Sequence, residues 1–116
     1  MKRLLSVLMT MLIASGLSFA SDYTSVKAKH ILVDTRAEAI KIKQDLDEGG
    51  SFDYYAARYS KCPSGRRNGG SLGYFERGQM VKPFEDAAFN AEQGKVTEPI
   101  KTQFGWHLIL VEDKIK

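Results

Sequence analysis

The sequence predicts an α+β domain in which helices pack on a sheet, in the order β-α-α-β-α-β-β. Three observations carry this. Apolar runs of strand length stand near both ends of the chain, at His30-Ile31-Leu32-Val33 and at Trp106-His107-Leu108-Ile109-Leu110-Val111. Segments with helical spacing lie between them, each with recognisable start and stop residues. Glycine and proline punctuate the joins. The only two histidines each open one of the apolar runs, and pairing of the two strands would bring both imidazoles together. A buried polar ring needs a partner, so the two rings can serve each other. Two unrelated core histidines fit the same pattern, and spacing alone does not decide.

Residues 1–20 stand apart. Lys2 and Arg3 precede an apolar stretch over 4–17, and Ser18-Phe19-Ala20 supplies small residues at a cleavage point, the pattern of a secretory signal peptide. Ser6, Thr10, Ser15 and Gly16 interrupt a run already short for a spanning helix. No cysteine follows Ala20, which argues against a lipid-anchored product. The expectation is export by the general route, to the periplasm first and the cell exterior second, with no stable membrane insertion after cleavage. The mature chain would comprise a short extension, 21–25, and one domain, 26–116. Removing Lys2 and Arg3 takes the formal charge from +3 to +1, so nothing marks nucleic acid as a partner. Cys62 is the only cysteine, which rules out an intrachain disulfide.

Within the mature chain, 26–33 reads as the first strand. Thr35-Arg36-Ala37-Glu38 fits a capping box, Ala39, Ile42 and Leu46 form a buried stripe, and Gly49-Gly50 stops the helix. Ser51 caps a second, short helix with Phe52, Tyr55, Ala56 and Tyr59 at i, i+3, i+4 and i+7, read as core. Residues 60–71 form a turn-rich loop with small side chains and two arginines, Arg66 and Arg67, and loops of this length are often functional. A short strand follows at 72–75. Pro83 near the first position starts a third helix with Phe84, Ala87 and Ala88 on its apolar face, closed by Gly94. Val96, Thr97 and Ile100 read as a short strand that Pro99 confines to an edge, and 106–111 is the last strand.

Six segments then carry a family resemblance: Lys29-His30-Ile31-Leu32, Ser60-Lys61-Cys62-Pro63-Ser64-Gly65, Gly69-Gly70-Ser71-Leu72-Gly73, Gly78-Gln79-Met80-Val81, Pro83-Phe84-Glu85-Asp86-Ala87-Ala88-Phe89 and Thr102-Gln103-Phe104-Gly105-Trp106-His107. In this order and spacing the chain resembles the parvulin-type peptidyl-prolyl cis/trans isomerases over almost all of 26–116. The resemblance implies a four-stranded antiparallel sheet surrounded by helices, with the active site on one sheet face. It implies a proline pocket from Leu72, Met80, Phe84 and Phe104, with Gln79 as a hydrogen-bond donor to the substrate backbone. An exposed loop glutamine fits Gln79 equally well. His30, Cys62, Thr102 and His107 match the family's polar cluster, although a plain strand-end hydroxyl fits Thr102 too. Aspartate often stands at the Cys62 position in the family, so an electrostatic role is expected there.

No cofactor and no metal are expected, because the two histidines and Cys62 lack short paired-ligand spacing. A thiol hydrolase using Cys62 and His107 is disfavoured, since no oxyanion-hole motif is recognisable. The connection Val33-Asp34-Thr35-Arg36 leaves no room for the basic loop of phosphate-directed parvulins, so no phospho-Ser/Thr requirement is expected. Arg66 and Arg67 read as a solvated pair. The expected partners are proline-containing unfolded or partly folded exported polypeptides, handled by a monomeric, stand-alone foldase. The alternative is a peptide-binding chaperone module with little turnover.

Overall fold

The computed structural model describes residues 23–116. The expected signal peptide, 1–20, lies outside the described residues. Two long strands, β1 (Ser25–Val33) and β4 (Gly105–Ile115), form the centre of a four-stranded antiparallel sheet. The edges are β2 (Ser71–Glu76) beside β1 and β3 (Ile100–Thr102) beside β4. Helices α1 (Arg36–Asp47), α2 (Phe52–Tyr59) and the short α3 (Pro63–Arg67) lie between β1 and β2, and α4 (Lys82–Asn90) lies between β2 and β3. The expected order holds, with α3 as an added helical turn inside the long loop. Pro63 presets the backbone angle of its first turn.

The apolar runs of β1 and β4 are continuous because both sheet faces are covered. Ile31, Val33 and Leu108 pack on one face against Ala39 and Ile42 of α1 and Phe52 and Ala56 of α2. Val26, Ala28, Ile109 and Val111 pack on the other against Phe84, Ala88 and Phe89 of α4. Two small cores therefore share one sheet.

The helix starts follow the sequence. Thr35 Oγ1 accepts from the Glu38 backbone N–H at 3.1 Å and donates to the Glu38 carboxylate, and Ser51 Oγ accepts from Tyr54 N–H at 3.2 Å. Caps of this kind are worth about 1 kcal/mol each. Gly49, at φ +104°, turns the chain out of α1. Three expectations need correction. Tyr59 is exposed: it stacks on Tyr55, whose hydroxyl donates to Asp45, and with it lines an open pocket beside α1. α4 ends at Asn90, four residues before Gly94, which instead shapes the following turn with its N–H bonded to Val111 C=O. The strand expected from Val96 is split: Val96 makes a single bridge to Leu110, and β3 begins only after Pro99, which cannot donate to a ladder.

The loop from 60 to 70 is zipped to β1 where β2 stops. Lys61 N–H donates to Leu32 C=O at 2.7 Å, Leu32 N–H donates to Ser60 Oγ at 3.1 Å, and His30 N–H donates to Gly70 C=O at 2.8 Å. At Gly70, with φ +88°, a Cβ would stand 2.5 Å from His30 C=O, so only glycine fits.

Candidate active site

The β1–β4 register sets Leu32 opposite His107 and His30 opposite Ile109. His30 and His107 are therefore diagonal neighbours on the α4 face of the sheet. Their Nδ1 atoms approach to 3.1 Å and the rings stack at 5.3 Å between centroids. Phe84 of α4 closes over both, edge-on, at 5.6 and 5.1 Å. His107 Nε2 lies 2.7 Å from Thr102 Oγ1, at the end of β3, and that oxygen also accepts from Phe104 N–H at 3.1 Å.

Burial holds both imidazoles down to a pKa of about 4, with His107 further lowered by its neighbour His30. Both rings are neutral at pH 7. Neutral rings carry one proton each, so in each ring one nitrogen donates and the other accepts. Thr102, His107 and His30 therefore form one chain of hydrogen bonds whose direction is set by the ring tautomers. His30 Nε2, at its end, is buried and has no hydrogen-bond partner among the described residues.

Above the histidines opens a groove of about 300 Å³. Leu72 comes from β2, Gln79, Met80 and Val81 from the loop before α4, Phe84 from α4, and Phe104 from the β3–β4 turn, with His30 and His107 below. Phe104 stands at the rim with 61 % of its surface exposed. Gln79 Oε1 accepts from Glu76 N–H at 2.6 Å, which leaves its amide nitrogen as the donor. All five residues expected to bind substrate thus line one groove, together with the two histidines. Thr102 sits behind His107 and holds it.

Cys62 takes a different place. Its N–H donates to Ser60 Oγ, and the pairing of Lys61 with Leu32 seats it alongside β1 as a half-buried thiol. It is not among the residues lining the groove. Val81 lines the groove although the sequence reading did not single it out; its place at the end of Gly78-Gln79-Met80-Val81 was the available signal. Among the described residues no three His, Cys, Asp or Glu side chains gather as a metal-binding group, and no helix is long and apolar enough to cross a membrane.

An apolar groove over paired, hydrogen-bonded histidines coincides with what comparison with known proteins finds. Residues 16–115 match the model of the PPIC-type PPIase domain. The chain belongs to this family. Foldase protein PrsA 1 of Bacillus cereus is 49% identical over 88 residues, covering 76% of this chain and 31% of that protein. The foldase PrsA of Exiguobacterium sibiricum is 47% identical over 97 residues, covering 83% of this chain and 32% of its own. The chain therefore spans about a third of the length of these foldases. Among solved structures, the peptidylprolyl isomerase PrsA of Bacillus anthracis superposes with a TM-score of 0.79 at 35% identity, over 89% of this chain and 50% of that one. The parvulin of Nitrosopumilus maritimus superposes with a TM-score of 0.70 at 44% identity, over 76% of this chain and 95% of that one. The described fold is that of a parvulin-type peptidyl-prolyl cis/trans isomerase domain.

Proposed function

We propose that this parvulin domain catalyses cis/trans isomerisation of X-Pro bonds in exported polypeptides, in the periplasm or beyond it, without a covalent intermediate. The observation that carries the reading is the groove itself, with apolar walls over two neutral imidazoles locked to each other and to Thr102. The barrier to X-Pro rotation is amide resonance, roughly 18–20 kcal/mol, so no bond has to form or break. The site has to hold the ring, exclude water and favour the twisted amide over both planar forms. A reduction of about 5–6 kcal/mol gives roughly ten-thousandfold acceleration.

Each group has a part in this. Phe84 and Phe104 offer flat walls to a proline ring, and Met80, unbranched, adapts as the ring's neighbours rotate. Gln79 donates its amide N–H to the substrate backbone on one side of the proline. The imidazoles contribute fixed dipoles, with Thr102 setting their proton positions. Cys62, beside β1, acts through its electrostatics and not as a nucleophile. Substrates need no phosphate, because only Asp34 and Thr35 separate β1 from α1 and Asp34 is paired with Lys61 at 3.3 Å. The export assignment draws on the leader-like residues 1–20.

The test is isomerisation of X-Pro peptides, with and without a phosphoserine before proline, and of a protein whose refolding is limited by proline. Acceleration of the unphosphorylated peptide at least as great as that of the phosphorylated one is expected. A phosphate preference would contradict the substrate assignment. Binding of proline peptides without acceleration would instead support a chaperone module.

A further inference from the structure

The most unusual residue of α4 is Glu85. It lies beside the groove wall Phe84, and its side chain is only 7% exposed. A buried carboxylate is unfavourable unless bonded, and its partners here come mainly from the loop before the helix. Oε1 accepts from Gly78 N–H at 2.6 Å, and Oε2 accepts from Arg77 Nη1 at 3.3 Å. Lys82, on the same helix, lies 3.6 Å away and is shared with Asp86. The Arg77 guanidinium also covers the Phe89 ring at 4.2 Å. These contacts hold the Glu85 carboxyl below the usual carboxylate range, chiefly through the Gly78 N–H.

The next two residues after Gly78 are Gln79 and Met80, which line the groove together with Phe84. One carboxylate therefore ties the loop wall of the groove to its helix wall. We propose that Glu85 is a positioning residue that sets the width of the proline groove by holding the 77–80 loop against α4. The inference rests on the reading of that groove as the proline site. Glu85 touches no reacting atom. It acts through Met80 and Gln79, so its loss weakens grip on the ring before it alters rotation once the ring is bound.

Met80 makes a clean reporter, because the other methionines, Met1, Met9 and Met11, all fall within 1–20. The experiment compares Glu85→Ala and Glu85→Gln with Ile42→Ala, which loosens the opposite core between α1 and the sheet. Readouts are the Met80 methyl resonance and, for an X-Pro peptide, KM and kcat measured separately. In Glu85→Ala the methyl resonance shifts or broadens and KM rises roughly tenfold with kcat little changed. Glu85→Gln, which keeps an acceptor for Gly78 N–H, restores KM to within about threefold of the parent. Ile42→Ala moves neither readout. An unmoved methyl and unchanged KM in Glu85→Ala would overturn the proposal, as would equal shifts in Ile42→Ala. Should Glu85→Ala fail to fold, Arg77→Met, which removes one arm of the latch, takes its place with about a threefold rise in KM expected and no change overturning the proposal. A parent protein without isomerase activity would refute the functional reading, and the Met80 resonance would still decide the latch.

Discussion

Acidification should destabilise this protein through its two histidines, and the amount follows from their burial. In the unfolded chain each imidazole binds its proton near the ordinary 6.5, whereas in the folded protein each stays neutral down to about 4. Between these values the unfolded state holds more protons, so stability is full above 6.5 and falls as pH drops toward 4. From pH 7 to pH 5 each ring accounts for a loss of about 2 kcal/mol, or roughly 4 kcal/mol for the pair. That is a large share of the roughly 5–15 kcal/mol typical of a whole domain. Glu85 does not interfere: its carboxyl is depressed from 4.5, so its contribution is intact above that value and is lost only at lower pH. The assay is urea unfolding at pH 7, 6 and 5, with the imidazole resonances followed in the native protein. Catalysis should stay level over the same range, since the rings remain neutral while the protein is folded. Unchanged stability at pH 5, or imidazoles that titrate near 6.5 in the folded state, would refute the reasoning.

Other consequences are equally open to test. Gly70→Ala forces a side chain into φ +88° against His30 C=O and should cost at least about 2 kcal/mol in denaturant unfolding, with a displaced His30 resonance. Thr102→Val leaves His107 Nε2 and Phe104 N–H without their partner; a loss of about 1–3 kcal/mol is expected, with a changed His107 tautomer in nitrogen spectra. The same variant should lower kcat/KM about tenfold, and Thr102→Ser should restore it. Cys62→Ala should keep activity within about tenfold of the parent, whereas a loss of several orders of magnitude would indicate an obligatory thiol.

Much of the frame was legible because its signals are local. Thr35 and Ser51 cap the helices they precede, and the apolar runs of β1 and β4 announce strands covered on both faces. The groove residues were legible through family motifs, since no periodicity separates a groove-lining Met80 or Phe84 from ordinary core. What stayed hidden depends on contacts distant in sequence. The meeting of His30 and His107 was expected from strand pairing, but the register that produces it, Leu32 opposite His107, is one that no local pattern dictates. Helix α3 sits in a stretch of Pro, Ser, Gly and Arg whose composition reads as loop; the loop is held at both ends by bonds to β1. Tyr59 fits the helical stripe yet stays exposed, because the space it shares with Tyr55 beside α1 is an open pocket and not closed core. Glu85 stands in the sequence only as part of a family motif, and its burial is understandable only once the Gly78 N–H and Arg77 turn toward it.

The central claim is that the groove over the paired histidines binds proline and speeds rotation of the bond before it. Its most direct test is exchange spectroscopy on an unphosphorylated X-Pro peptide with catalytic amounts of the protein, alongside Met80→Ala. The account predicts fast cis/trans exchange with the parent protein, and a loss of roughly tenfold or more in Met80→Ala while the fold is retained. Exchange no faster than the free peptide, or a Met80→Ala protein as active as its parent, would contradict it.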